Sequence, residues 1–216
     1  MNAQTQKIRV TGPSGLIEAL LDTPDPVECP ERCGVAVIAH PHPLYGGTMD
    51  NKVVQTLARA FVQSGWRTVR FNFRGVGASE GVYDEGRGEL SDLLAVVAQQ
   101  AENGPLALAG FSFGAFVTSH ALAALEPQRA ITQVVLVGTA ASRFDVTPIS
   151  AALHECTLVL HGEMDDTVPL IDVLNWARPQ SLPVVVIPGG GHFFHGQLPL
   201  LRSLVVRHLA NKTAST

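Results

Sequence analysis

The chain has 216 residues, of which 46% are hydrophobic and only 16% charged. That length fits one domain, 1–216, with a substantial core, and the balance argues against long disorder. A net charge of −4, with Lys and Arg scattered along the chain, offers no attraction for nucleic acid or an anionic membrane. No apolar run is long enough to span a bilayer. The segment Met1–Lys7 lacks the apolar core of a signal peptide, so the expected location is cytoplasmic. Three cysteines, Cys29, Cys33 and Cys156, are an odd count that does not suggest a disulfide framework. Cys29 and Cys33 form a C-x3-C pair with no second soft pair to complete a zinc site. No metal is expected.

In chain order, Ile8–Val10 and Gly15–Leu21 read as a hairpin turned at Thr11–Ser14. A loop with Pro24, Pro26 and Pro30 follows. Val35–Ala39 is a continuous apolar run, typical of a strand buried on both faces, and it runs into the loop His40–Gly47. Asn51–Ser64 carries Val54, Leu57, Ala58, Phe61 and Val62 at helical spacing, with Gly65 as the stop. Thr68–Phe73 is the next strand. Ser91 is the expected N-cap of a helix through Glu102, with Leu93, Leu94 and Val97 inward. Later strands are expected at Ile131–Val137, Thr157–Leu160 and Val184–Ile187, with helices at Leu170–Ala177 and Leu198–Leu209. Strands alternating with helices predict one α/β domain, a mostly parallel sheet flanked by helices, with the hairpin adding antiparallel strands at one edge.

The stretch Gly110-Phe111-Ser112-Phe113-Gly114 joins an apolar strand, Pro105–Ala109, to a helical run, Ala115–Leu125. Strand, Gly-x-Ser-x-Gly, helix is the context of a nucleophile elbow. The glycines two residues either side of Ser112 relieve collisions in a tight turn, and the following helix start favours negative charge. A serine hydroxyl needs a base to take its proton. Of eight histidines, His192 follows the strand Val184–Ile187 through a mobile glycine loop, with His195 as the fallback. His120 and His208 read as surface or packing residues, His154 sits in a connecting segment, and His161 is structural within its loop. The orienting acid is expected in His161–Pro169, which offers Glu163, Asp165 and Asp166. Position in the loop favours Asp165 over Asp166. The polar motifs all sit where strands end, the edge at which such sheets bind ligands.

The order Ser112, Asp165, His192 is the chain order of α/β-hydrolases. The whole chain resembles that fold, and specifically its small, cap-free bacterial serine hydrolases of the carboxylesterase-like kind. The resemblance rests on His40-Pro41-His42-Pro43-Leu44-Tyr45-Gly46-Gly47-Thr48-Met49-Asp50-Asn51-Lys52, on Arg70–Gly81, on the elbow, on His161–Asp165 and on Gly191–Phe194. It implies Ser112 as nucleophile, Asp165 as acid and His192 as base, with no cofactor. One oxyanion donor is expected from the Phe113 N–H and the other from the loop after Val35–Ala39. Pro41 and Pro43 have no N–H, which leaves His42 or Leu44. His40 and His42 could chelate a metal as an H-x-H pair, but the surrounding prolines suit a rigid turn and no carboxylate cluster adjoins. Arg74 and Glu80 are expected to tie loops together.

Residues 139–156 are too few for an independent cap, so an open site is expected. Phe111, Phe113, Phe116, Tyr45, Phe193 and Phe194 are candidates to line an acyl pocket, Phe116 being better placed for the core. The expected reaction is hydrolysis of a small-molecule carboxylic ester through an acyl-enzyme. An acyltransferase, a peptidase or a non-catalytic binding protein of the same fold are the alternatives. The expected assembly is a monomer or homodimer.

Overall fold

The apolar runs assemble into one eight-stranded sheet with the order β1-β2-β4-β3-β5-β6-β7-β8. The computed structural model describes residues 5–27 and 33–210. Strands β1 (Thr5–Gly12) and β2 (Gly15–Asp22) form the expected hairpin, with Val10 opposite Ile17, and β2 pairs antiparallel with β4 (Trp66–Phe71). From β4 onward the neighbours are parallel: β3 (Gly34–Ala39), β5 (Leu106–Phe111), β6 (Ile131–Val137), β7 (Thr157–Gly162) and β8 (Val184–Ile187).

Helices cover both faces, which is why the central strands are apolar at every position rather than at alternate ones. Helices α1 (Lys52–Gln63) and α5 (Leu198–Ala210) pack Phe61, Leu57, Leu201 and Val205 against Ile38, Ala109 and Val137. On the opposite face α2 (Arg87–Gln100), α3 (Phe113–Leu125) and α4 (Leu170–Ala177) bury Leu93, Val117 and Val173 against Val37, Leu108 and Leu136. The chain passes from β3 to β4 on one side and then returns to lay β5 on the other side of β3. The loops leaving β3 and β5 therefore splay apart, opening a crevice beyond the carboxyl ends of the strands. Between β6 and β7 the only regular element is a short 3₁₀ turn, Ala151–Cys156. No cap domain is inserted there.

Several element ends shift by a few residues from the sequence expectation, and two of the shifts, at α2 and β4, have a visible cause. Helix α2 begins one turn before Ser91, at Arg87, and Ser91 lies inside it with its hydroxyl bonded to Arg87 O. The cap comes from Glu89 instead. Its buried carboxylate reaches back to accept the Gly86 and Asp84 N–H groups at 2.8 and 2.9 Å, and Gly86 supplies the left-handed φ of 97° that this entry needs. Beyond Phe71 the Asn72 N–H still bonds to Glu18 O of β2, but the Phe73 N–H turns to the His40 ring and the ladder stops. Of the C-x3-C pair, Cys33 donates its thiol to Ser64 O at 3.2 Å, while Cys29 lies outside the described residues. Among the described residues no helix is long and apolar enough to cross a membrane.

One buried cation ties the antiparallel edge to the crevice. Arg70, 2% exposed on β4, donates Nε to Asp22 of β2 at 3.0 Å and Nη1 to Met49 O and Asp50 at 2.9 and 3.2 Å. Breaking a buried pair by deleting one partner strands the other charge. Asp22→Ala is expected to lower the unfolding free energy by about 3 kcal/mol, read from urea denaturation. An unchanged midpoint would show that Asp50 and Met49 O alone suffice for Arg70.

Candidate active site

Ser112 sits between β5 and α3 at φ 57° and ψ −116°, a conformation that costs a non-glycine residue about 1–3 kcal/mol. The turn is held by Ser112 N–H donating to Val137 O at 2.8 Å and by Ala115 N–H returning to Ser112 O at 3.0 Å. A side chain at Gly110 would strike the Gly114 backbone, and one at Gly114 would strike Ala39 and His40 O. Both glycines are thus fixed by backbone against backbone, as the tight turn predicted.

Ser112, His192 and Asp165 lie in one hydrogen-bonded line. Asp165 accepts from only one side of the imidazole, so His192 carries its proton on Nδ1 and donates to Asp165 Oδ2 at 2.7 Å. The other nitrogen, Nε2, is then free to accept from Ser112 Oγ–H at 3.0 Å. The second carboxylate oxygen of Asp165 accepts the Thr167 and Val168 N–H groups at 3.0 and 2.8 Å, which locks its rotamer. Burial works to raise the Asp165 carboxyl. The hydrogen bonds from His192 and Val168 outweigh it and hold the group below its ordinary value. His161 stands behind the acid, its Nε2 donating to Val168 O at 2.9 Å, and burial keeps it neutral. Asp166 and His195 face solvent. Glu163 has a tying role: it accepts Gly189 N–H at 2.9 Å, and Met164 N–H donates to Gly190 O at 2.8 Å. The glycine loop before His192 is therefore pinned to the loop after β7. Phe194, fully buried at φ 51°, anchors its far end.

The loop after β3 is held as firmly. His40 is fully buried. Its Nε2 accepts the Phe73 N–H at 3.0 Å, so Nδ1 bears the proton and donates to Pro41 O at 2.6 Å. Burial lowers its pKa to about 4. Asn72 accepts Met49 N–H at 2.9 Å, and Glu80 accepts Leu16 N–H at 2.6 Å; Arg74 grips Asp92 with two nitrogens at 3.0 and 2.8 Å. The expected loop-tying roles of Arg74 and Glu80 are met in this way. His42 accepts the Leu44 N–H on Nδ1 at 3.2 Å and donates Nε2–H to Tyr83 Oη at 3.1 Å. Each ring nitrogen of His40 and His42 is thereby engaged by the protein, an arrangement that does not fit an H-x-H chelate. The Leu44 N–H, one of the two expected donors, is turned to the His42 ring. Among the described residues, the His42 and Phe113 N–H groups have no protein acceptor, and both residues line the cavity beside Ser112.

That cavity, about 390 Å³, is lined largely by apolar atoms. Of the aromatic candidates, Tyr45 and Phe193 face it, whereas Phe111, Phe116 and Phe194 belong to the core, as does the fully buried ring of Phe113, a residue that borders the cavity. Phe111 supports the site from below, its ring 4.9 Å from that of His192. The sequence reading missed Phe144, Arg143, Thr167 and Asn51 in the lining. Arg143 and Phe144 sit in an irregular segment after β6 that has no periodicity. Their signal was position alone, since they follow the strand next to the one bearing Ser112.

The family model for X-Pro dipeptidyl-peptidase (S15 family) matches residues 23–153, from just after β2 through the elbow to the turn before β7. The chain belongs to the S15 family of α/β-hydrolases. A lidless α/β serine hydrolase from Xanthomonas campestris is 34% identical, with a TM-score of 0.88 over 100% of this chain and 99% of that one. An α/β serine hydrolase homologue from Coxiella burnetii is 40% identical, with a TM-score of 0.81 over 94% and 97% of the two chains. An uncharacterized protein of Rickettsia prowazekii is 32% identical over 202 residues, 87% of this chain and 82% of that one. This hydrolase shares with the first of them the absence of a lid.

The buried His40 makes a testable link between acidity and stability in the hydrolase. Its pKa is about 4 folded against 6.5 for the free group. Between those values the unfolded chain binds the extra proton, so stability falls as pH drops from 6.5 to 4 and is flat in this respect outside that window. The full effect is on the order of 3 kcal/mol. Unfolding free energies of wild type and His40→Gln should converge across that window as the pH is lowered, and parallel pH profiles would refute the assignment.

Proposed function

We propose that the protein is a serine hydrolase that cleaves carboxylic esters of small molecules through an acyl-enzyme. The observation that carries this reading is the continuous line Ser112 Oγ, His192, Asp165 at the wall of an open, mostly apolar cavity. Ser112 Oγ attacks the acyl carbonyl carbon while His192 Nε2 takes its proton, and Asp165 stabilises the imidazolium that forms. The carbonyl oxygen becomes an oxyanion facing the Phe113 and His42 N–H groups. Their lack of other acceptors supports the pairing, because unengaged donors need no rearrangement to meet new charge. His192 then protonates the departing alkoxide, leaving an ester on Ser112. Water, deprotonated by the same imidazole, attacks that ester and releases the acid.

The S15 family description raises a peptidase reading. A dipeptidyl-peptidase must hold the free ammonium of its substrate, which calls for a carboxylate at the cavity wall. Among the described residues none lines it, and the one charged side chain there is the guanidinium of Arg143. That chemistry favours ester over dipeptide.

Ser112→Ala should reduce turnover of short 4-nitrophenyl esters at least about a thousandfold and abolish labelling by a fluorophosphonate, with the thermal transition retained. Near-wild-type turnover would sink the proposal. The second oxyanion donor has its own test. His42 has φ −53°, which proline accepts, so His42→Pro removes the N–H with little backbone cost. Compared with His42→Ala, which loses only the ring, kcat should drop about a hundredfold further. Equal rates in the two variants would exclude the His42 N–H.

A further inference from the structure

Around the cavity the distribution of charge is one-sided. His192 and His42 line it, but His42 is neutral: burial and then the charge of Arg143 both lower its proton affinity. Asp165 does not reach the cavity, since its side chain is fully buried behind His192. Among the described residues Arg143 is left as the only permanently charged side chain in the lining. Three other arginines of this chain pair with carboxylates, Arg70 with Asp22, Arg74 with Asp92 and Arg87 with Asp84, while Arg59, Arg129 and Arg178 bond neutral oxygens outside the cavity. Arg143 has no carboxylate within 4 Å among the described residues.

The position of this cation is set by its neighbours. The turn that bears it leaves β6, next to the strand of Ser112, and closes through Arg143 and Phe144 N–H bonds to Ala140 O at 3.2 and 3.1 Å. Ala140 is buried, and the Phe144 ring stacks on Phe116 of α3 with centroids 4.7 Å apart and planes 19° from parallel. The backbone root of Arg143 is therefore clamped between core residues while its guanidinium stays in the open. A planar, permanently charged fork of five N–H donors, without a carboxylate partner and rooted in the wall of an apolar cavity, suits a carboxylate.

We propose that Arg143 is a specificity-determining residue, and that the preferred substrates are esters carrying a carboxylate away from the reacting carbonyl. The inference rests on the ester-hydrolase reading and names its substrate class. The same charge repels an ammonium, so amine-bearing esters and free peptide N-termini are disfavoured.

The test uses two matched pairs of esters. The 4-nitrophenyl monoester of adipate against 4-nitrophenyl hexanoate places the charge on the acyl side. Against its methyl ester, 4-acetoxybenzoate places it on the leaving group. Wild type should favour the anionic member of at least one pair by roughly threefold or more in kcat/KM, the effect of one half-solvated ion pair, and the preference should shrink at about 0.5 M salt. In Arg143→Gln the ratio should fall toward one, and in Arg143→Glu it should reverse. No anionic preference in either pair, or the same ratio in all three proteins, would overturn the assignment. Turnover of the neutral esters together with fluorophosphonate labelling of Ser112 would, in that case, leave the ester-hydrolase reading standing. Loss of both turnover and labelling in wild type would overturn the two readings together.

Discussion

The positive φ of Ser112 is a constraint that the surrounding structure has to enforce at every contact. A serine does not stay at 57° unless both sides of the turn are closed, and here they are closed by main chain. Gly110 presses on the Gly114 backbone and Gly114 presses on the end of β3, so the elbow, the loop after β3 and the start of α3 share one set of contacts. The bond from Ser112 N–H to Val137 O adds β6 to that set. Moving the serine out of its strained conformation would require three neighbouring segments to move with it.

The same logic extends outward through polar groups that bind loops to one another. His40, Arg70 and Asn72 join the loop after β3 to the segment after β4, and Glu18 and Ser79 join that segment to the hairpin. On the other side Glu163 and Met164 hold the His192 loop to the Asp165 loop. Few of these bonds involve groups that would touch a substrate. Their effect is to hold Ser112, His192, and the N–H groups of His42 and Phe113 in fixed relation, so that little reorganisation is left for the reaction itself.

How much of this was legible in the sequence varied with the kind of signal. Strands such as Val184–Ile187 and helices such as Leu170–Ala177 were readable to the residue, because burial on both faces or on one stripe leaves a period in the sequence. The start of α2 was not readable, because Glu89 caps it from inside the helix while Ser91 offered the more familiar side chain. Ser112, Asp165 and His192 were placed by motif and strand order, and the hydrogen-bond line joins those three. Tyr83 against His42 and Arg70 against Asp22 had no local signature, being pairs 41 and 48 residues apart that only the folded sheet brings together. The glycine loop before His192 read as mobile from composition. Its bonds to a loop 26 residues away in sequence fix it.

The short connection between β6 and β7 bears on what happens after the first half of the reaction. With only a 3₁₀ turn in that interval, no cap inserted between β6 and β7 has to open before a product leaves or water arrives. On the proposed ester-hydrolase route, bulk solvent stands over the acylated Ser112 throughout its lifetime, at a concentration that a dissolved alcohol or amine acceptor rarely rivals. In proteins that cover the nucleophile, the cover can ration water and let another acceptor compete. On that route the open geometry would tilt the partition between hydrolysis and transfer toward hydrolysis, before any side chain expresses a preference.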